Sequence, residues 1–178
     1  MICGPIASGK STLARAVARS LNDRGVAAAA IDLDFVYEML APDGEAKDDP
    51  STWSRARRLA ARMADALLES GVEAVVLEGD FLAPDERAEL LAALESEPRI
   101  RYVTLEAPLA DAVARAAVDR SRGISRDPAF LTHHYEEIGP LLRARPQSDL
   151  GLDTSAVSVD EAAEAVVAWS LDATTPRA

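Results

Sequence analysis

The chain has 178 residues, of which 48% are hydrophobic and 28% are charged, a composition typical of one globular domain with a full core. Its formal net charge of −11 argues against nucleic acid as the main partner, because nucleic-acid-binding proteins carry basic surfaces. We also expect neither a membrane span nor a signal peptide. One cysteine, Cys3, allows no internal disulfide. We therefore expect a cytoplasmic protein in which Cys3 is a buried structural thiol.

Apolar strands alternate with longer helical stretches along the chain, which is typical of a parallel α/β sheet. Strands are predicted at residues 1–3, 26–31, 72–77, 100–105 and 150–153. Helices are predicted directly after residue 9 and at 51–69, 84–94, 109–120 and 159–171, the second of them capped by Ser51 or Thr52. The first strand is shorter than the usual five or six residues, so we expect the sequence to start late in it. Residues 1–171 are predicted to form a single domain, and residues 172–178 a flexible tail.

Two stretches depart from this alternation. Residues 41–50 are polar and turn-rich, and residues 121–128 are basic and contain a glycine. In a protein that transfers phosphoryl groups such segments are candidates for a substrate loop and a lid. The alternative is that both are plain connections between helices and strands.

The most specific motif lies at residues 4–11, with the pattern G-x-x-x-x-G-K-S. In this pattern backbone N–H groups surround the β-phosphate of a nucleotide, the lysine reaches the β- and γ-phosphates, and the hydroxyl that follows ligates Mg²⁺. The alternative is a glycine-rich turn at the start of an ordinary helix. The predicted ATP-binding residues are Gly4, Ala7, Ser8, Gly9, Lys10, Ser11 and Thr12.

Acidic residues follow the second and third predicted strands. Asp32 and Asp34 come after the second strand, and Glu78 and Asp80 after the third. Ligands of open α/β sheets bind beyond the carboxyl ends of the strands, so these carboxylates are expected near the γ-phosphate and its Mg²⁺. There they would hold metal-bound water or orient a nucleophile. Alternatively, Asp34 simply caps the helix that follows it.

The phosphate loop, the pair Asp32 and Asp34, an Arg-rich segment after the fourth strand and residues 152–155 before the last helix occur in this order. In these features the chain resembles the small-molecule kinases of the P-loop superfamily, which include shikimate, gluconate and adenylylsulfate kinases and chloramphenicol phosphotransferase-like enzymes. The resemblance covers most of the chain. It implies a three-layer P-loop NTPase fold, with a five-stranded parallel sheet flanked by helices and an Arg-rich lid at about residues 119–128.

The resemblance also implies roles for individual residues. Asp34 would meet the acceptor hydroxyl as a base or orienting group, and Asp32 would assist the Mg²⁺ on Ser11 through water. Arg120 and Arg122 would close over ATP and neutralise charge on the transferred group. Arg115 would contact the nucleotide, or alternatively pair with an acidic residue at helical spacing.

Other residues near the expected site have less specific signals. The acceptor pocket is predicted to contain Asp34, Phe35, Tyr37, Trp53, Asp80 and Phe81, with core packing as the alternative for the aromatic residues. Arg55, Arg58 and Arg62 share one helical stripe that we expect to face water and not an anionic acceptor. For His133 and His134 we expect a surface or lid-helix role and no metal binding.

Together these features predict an ATP- and Mg²⁺-dependent kinase that phosphorylates a hydroxyl of a small-molecule acceptor. A nucleotide-dependent regulatory NTPase and a nucleoside or nucleotide kinase are the alternatives. The segment Glu78-Gly79-Asp80 differs from the glycine-rich turn of shikimate kinases, and the residues after Asp34 differ from the Asn-Val-Arg of adenylylsulfate kinases. The sequence therefore assigns no particular acceptor and no oligomeric state.

Overall fold

A computed structural model describes residues 1–41, 49–119, 123–146 and 149–172. Its centre is a sheet of five parallel strands in the order β2-β3-β1-β4-β5. The strands are β1 (Ile2–Cys3), β2 (Ala28–Asp32), β3 (Ala74–Glu78), β4 (Val103–Glu106) and β5 (Leu150–Asp153). The predicted α/β fold with a five-stranded parallel sheet is thus confirmed.

Seven α-helices surround the sheet in the described residues. They are α1 (Lys10–Asp23), α2 (Leu33–Leu40), α3 (Pro50–Glu69), α4 (Pro84–Ala92), α5 (Leu109–Val118), α6 (Pro128–Arg143) and α7 (Val159–Leu171), with a 3₁₀ turn at Gly123–Arg126. The N-cap of α3 is Asp49, and the predicted caps Ser51 and Thr52 are wrong: the Asp49 carboxylate accepts from the N–H groups of both residues, at 3.0 and 3.2 Å. The helix therefore begins one residue earlier, with Pro50 at its first position.

Strands β2 and β3 each begin two residues later than predicted. The N–H of Val26 bonds back to the Leu21 carbonyl at 3.0 Å, and that of Val72 to the Leu67 carbonyl at 3.1 Å. Both valines thus belong to the turn that ends the preceding helix, although their apolar side chains resemble those of a strand.

Two separate apolar cores lie on the two faces of the sheet. Ile2 and Cys3 are successive residues of β1, so their side chains point to opposite faces. Ile2 belongs to the core formed with α1 and α7, and Cys3 to the core formed with α2, α3 and α4. The layers are thus helix, sheet and helix, and the carboxyl ends of the strands meet along one edge.

Cys3 is fully buried, as predicted. Its thiol lies 3.5 Å from a guanidinium nitrogen of Arg87, which is itself paired with Asp149 at 2.8 Å. Burial raises the pKa of Cys3 above its ordinary value, although the hydrogen bond from Thr104 and the charge of Arg87 act in the opposite direction. The thiol is a structural part of this buried network. Within the described ranges, every helix is too short or too polar to cross a bilayer.

Candidate active site

Residues 4–9 form a tight loop between the end of β1 and the start of α1. A side chain at Gly4 would place its Cβ 2.7 Å from the carbonyl oxygen and 2.9 Å from the Cβ of Leu105, so only glycine fits against β4. Ala7 adopts a left-handed conformation, with φ of 61°, which bends the loop back over the helix. The first N–H groups of α1 therefore face the inside of the loop, where an anion binds favourably.

Lys10 and Ser11 stand at the start of α1. The Lys10 ammonium donates to the carbonyls of Gly4 and Pro5, at 2.9 and 3.2 Å, so it lies across the mouth of the loop. Ser8 is 0% exposed as a whole residue, backbone included, so the structure leaves it no free surface for the predicted contact with a nucleotide. This geometry is that of a phosphate-binding loop.

Asp32 ends β2 and caps α2. Its Oδ1 accepts from the N–H groups of Asp34 and Phe35, at 2.9 and 3.4 Å. The alternative that Asp34 is the helix cap is therefore wrong, because Asp34 lies in the first turn of α2. The Asp34 side chain is exposed, beyond the carboxyl ends of the strands, which is where an acceptor was expected.

Glu78, which the sequence analysis assigned no separate role, is the most perturbed acid of the site. It ends β3 directly beside Asp32 in register. Burial, a hydrogen bond to Asp32 and repulsion from the same carboxylate raise the pKa of Glu78 to about 8, while a hydrogen bond from Ser11 and the charge of Lys10 oppose the rise. The signal available in the sequence was the place of Glu78 directly after the third predicted strand.

The oxygens around Ser11 fit a magnesium ion. Oε1 of Glu78 is buried and has no hydrogen-bond partner within the described residues, and hydroxyl and carboxylate oxygens are ligands that Mg²⁺ prefers. Among the residues that the structure describes, His, Cys, Asp and Glu form no cluster of three or more that would hold a metal. An ion here would therefore need further ligands from nucleotide phosphates and water.

The predicted aromatic acceptor pocket is corrected by the structure. Phe81 is 0% and Tyr37 is 2% exposed, and both belong to the core between the sheet, α2, α3 and α4. The ring of Trp53 packs on that of Tyr37, with a centroid distance of 4.3 Å. Phe35, in contrast, is 62% exposed. Core packing thus accounts for Tyr37 and Phe81, and Trp53 and Phe35 retain surface for an acceptor.

Asp80 lies in the loop after β3, close to the start of α2. A Cβ on its neighbour Gly79 would lie 2.5 Å from the Cβ of Leu33, so glycine allows this loop to approach α2. Burial is the larger cause of the raised pKa of Glu86, and the charge of Asp80 raises this pKa further. Asp80 therefore contributes negative potential on the acceptor side.

Arg115 holds the back of the phosphate loop together with Thr154. Its guanidinium donates to the side-chain and carbonyl oxygens of Thr154, at 2.9 and 2.8 Å, and to the Ala7 carbonyl at 3.4 Å. The Thr154 hydroxyl donates in turn to the Ser8 carbonyl at 2.9 Å. Arg115 thus links the phosphate loop to the segment after β5, and these contacts take the place of the alternative pairing at helical spacing; its contact with a nucleotide stays a prediction.

We expect Thr154→Val to weaken nucleotide binding and lower stability. The substitution keeps the side-chain shape but removes the hydroxyl, and the loss of such a bond costs about 1–3 kcal/mol when it leaves a buried group unpaired. The measurements are ADP affinity by calorimetry and the free energy of unfolding by denaturant. Ser155→Ala is the matched control, because the Ser155 hydroxyl bonds the exposed Asp153. Equal ADP affinity in both variants would contradict the role of Thr154.

The predicted lid arginines, Arg120 and Arg122, lie outside the described residues. Within the described part of the segment, Arg126 donates to the Ala117 carbonyl at 3.3 Å. Asp127 caps α6 by accepting from the N–H of Ala129 at 2.9 Å. Arg126 and Asp127 thus have structural contacts.

The arginines of α3 join this helix to α4. Arg57 pairs with Glu86 at 3.1 Å and with Glu89 at 2.8 Å, and Arg58 pairs with Glu89 at 3.0 Å. The guanidinium of Arg62 pairs with Glu95. Arg55, Arg58 and Arg62 are all exposed, so the stripe faces water as expected. Within it, Arg58 pairs with α4 and Arg62 pairs with Glu95, just beyond α4.

Helix α6 reaches the phosphate loop, which the sequence analysis missed. Nε2 of His134 accepts from the N–H of Ile6 at 3.1 Å. The side chain of His134 is half-buried, so of the two roles expected for it, surface or lid helix, the plain surface position does not apply. The available signal was its place in the helix that follows the Arg-rich segment.

A phosphate loop before a helix, with carboxylates at the adjoining strand ends, defines an α/β P-loop fold of the kinase type. The chain belongs to the AAA domain family, whose model matches residues 1–131. It is 28% identical over 169 residues to the bifunctional enzyme CysN/CysC of Rhodopirellula baltica, a match that covers 94% of this chain and 25% of that enzyme. The chain thus spans about a quarter of its curated relative's length.

Two of the solved structures that share the fold are kinases by name. One is a sugar kinase from Janibacter sp., with a TM-score of 0.69, 18% identity and coverage of 95% of this chain and 91% of that one. The other is the APS kinase CysC of Mycobacterium tuberculosis in complex with AMPPNP and APS, with a TM-score of 0.68, 22% identity and coverage of 96% and 95%. The resemblance to P-loop small-molecule kinases is thus confirmed.

Proposed function

We propose that the protein is an ATP-dependent phosphotransferase that moves the γ-phosphoryl group to a hydroxyl of a small-molecule acceptor. The observation that carries this proposal is the position of Lys10 across the mouth of the phosphate loop, with Asp32, Asp34 and Glu78 at the neighbouring strand ends. The kinase names of the structural relatives support it. We further propose that residues 1–171 act as one domain in the cytoplasm.

In this proposal each side chain has a defined task. Lys10 stabilises negative charge on the β- and γ-phosphates, and Ser11 with Asp32 and Glu78 would hold Mg²⁺, which supplies further charge neutralisation. Asp34 orients the acceptor hydroxyl and accepts its proton. Arg120 and Arg122 of the proposed lid would neutralise charge that develops on the transferred group.

The charges on the proposed acceptor side do not favour an anion. Arg57 and Arg58, the basic residues of α3 nearest to α4, are paired with Glu86 and Glu89. Asp34 and Asp80 add negative charge on the same side. An acceptor without a strong negative charge, whose carbon skeleton packs on Phe35, is the class that these residues favour.

The test of this function is product analysis with ATP, Mg²⁺ and a panel of hydroxyl compounds grouped by charge. We expect one group to accelerate ADP formation and to yield a product heavier by one phosphoryl group in mass spectrometry. Lys10→Ala is the control for contaminating kinases. Slow ATP hydrolysis that no acceptor accelerates would instead favour the regulatory NTPase, and a phosphorylated nucleoside or nucleotide would identify the third alternative.

We expect Asp32→Asn to raise the Mg²⁺ requirement for turnover by about 10–100-fold, the usual range for the loss of a group that orients a metal ligand. The asparagine keeps an oxygen that can cap α2, but it lacks the negative charge that attracts the ion. The measurement is turnover as a function of Mg²⁺ at saturating ATP.

A second aspartate that caps a helix provides the control for Asp32→Asn. Asp127 caps α6, so Asp127→Asn makes the same chemical change at a helix start away from the proposed ion. We expect it to leave the Mg²⁺ dependence unchanged. If Asp32→Asn and the wild type respond identically to Mg²⁺, the proposed role of Asp32 is wrong.

A further inference from the structure

Two adjacent residues of α6 contact a single residue of the phosphate loop. His134 accepts from the N–H of Ile6 at its Nε2, at 3.1 Å. The Tyr135 hydroxyl lies 3.4 Å from the Ile6 carbonyl oxygen, a longer contact. Both backbone groups of Ile6 therefore face α6, and Ile6 belongs to the loop that precedes Lys10.

The packing around this contact makes α6 a firm support. Ala7 of the loop, Ala112 and Ala116 of α5 and Leu131 of α6 form a small buried core. Ile6 and Tyr135 pack against its edge. A shift of α6 would therefore be transmitted to the loop through apolar contacts as well as through the hydrogen bond.

The hydrogen bond requires a neutral imidazole. Nε2 can accept from Ile6 only when its lone pair is available, so the ring proton must be on Nδ1. A second proton would occupy Nε2 and leave the N–H of Ile6 without its acceptor. The bond between His134 and Ile6 is thus present in one protonation state and absent in the other.

The charges around His134 come from three elements. Lys10 of α1 and His133 of α6 lower its pKa, whereas Asp80 in the loop after β3 and Glu137 of α6 raise it. Burial is the largest cause, and the net result is a pKa below the ordinary value for histidine. The neutral imidazole is therefore the stable form at neutral pH.

We propose that His134 is a positioning residue of the phosphate loop: its neutral imidazole holds Ile6 so that the loop fits a nucleotide, and its protonation releases Ile6 and weakens nucleotide binding. The consequence for turnover rests on the proposed kinase function. The consequence for nucleotide binding does not, because it needs no acceptor.

The first test compares three variants by their affinity for ADP with Mg²⁺ between pH 5 and 8. His134→Leu removes the acceptor, and we expect affinity at pH 7.5 to fall about tenfold, as for the loss of one buried hydrogen bond. His134→Gln can place an amide oxygen near the position of Nε2 and does not titrate. It should restore affinity to within about threefold of the wild type and remove the extra loss of affinity at low pH.

The control is His133→Gln, which changes the neighbouring histidine. His133 points outward and pairs with Glu137 at 3.3 Å, so at pH 7.5 this variant should bind ADP as the wild type does. Titration of the nucleotide itself affects all the proteins alike and cancels in the comparison. If His134→Gln loses affinity at low pH as steeply as the wild type, the proposed role of His134 is overturned.

The second test observes the imidazole of the wild-type protein directly. Long-range ¹H–¹⁵N NMR spectra distinguish the two neutral tautomers, and we expect the proton of His134 on Nδ1. The amide signal of Ile6 should shift with pH at the same midpoint as the His134 ring. A proton on Nε2, or an Ile6 amide that does not respond, would overturn the proposal even if the protein proves to be a kinase. Conversely, the protein could show the His134 proton on Nδ1 and the Ile6 amide shift but transfer no phosphoryl group. That result would refute only the kinase function.

Discussion

Lys10→Ala is expected to lower turnover by about 100-fold or more, the usual effect of removing a donor that stabilises charge in the transition state. The Lys10 ammonium bonds two carbonyls at the mouth of the loop and does not belong to either core. The fold should therefore remain intact. The measurements are turnover at saturating ATP and the thermal midpoint of unfolding.

Arg15→Ala is the matched control for Lys10→Ala. Arg15 is an exposed cation on the same helix, and its guanidinium bonds only the Ser11 carbonyl among the contacts described. This variant removes one positive charge from α1 and a bond to the Ser11 backbone, but no contact with the Gly4 and Pro5 carbonyls that Lys10 binds, so turnover should stay near that of the wild type. Near-normal turnover of Lys10→Ala at saturating ATP would refute the assignment of the loop.

Asp34→Asn is expected to lower phosphoryl transfer by about 10²–10⁴-fold, the range for loss of a general base, with little change in ATP affinity. The amide keeps the shape of the side chain but removes the carboxylate that would meet the acceptor proton. Asp32, and not Asp34, caps α2, so the helix should remain in place. Turnover with an acceptor and the affinity for ADP are measured separately.

The control for Asp34→Asn lies one helical turn further along α2. Glu38 is also exposed, so Glu38→Gln removes a negative charge from the same helix beyond the strand ends. We expect near-normal transfer from it. If Asp34→Asn instead binds ATP poorly and turns over normally once saturated, then Asp34 serves the nucleotide and not the acceptor.

The phosphate loop and the parallel sheet could be predicted because their signals are local. The spacing of Gly4, Gly9 and Lys10 is specific, and buried parallel strands are continuous apolar runs. The starts of β2 and β3 were predicted two residues too early, because Val26 and Val72 have strand-like side chains but bond back to the preceding helices. Asp49 was missed as a cap because Ser51 and Thr52 just after it are equally good capping types.

The remaining parts of the site depend on contacts between distant segments. The perturbation of Glu78 arises from its register with Asp32, 46 positions earlier, and the bond between His134 and Ile6 joins residues 128 positions apart. The burial of Tyr37 and Phe81 could not be predicted from the sequence pattern either. An aromatic residue near a site shows the same periodicity whether it faces the core or a ligand. Arg120 and Arg122 remain predictions from the sequence.

The presence of two cores has a consequence for how such a protein diversifies. The core with α1 and α7 holds the helix that follows the phosphate loop, and the core with α2, α3 and α4 holds the helix that carries Asp34. Because the sheet lies between these two cores, substitutions in one should combine almost additively with substitutions in the other. A library confined to α2, α3 and the loop after β3 should therefore change the acceptor of the proposed kinase and leave its nucleotide binding unchanged.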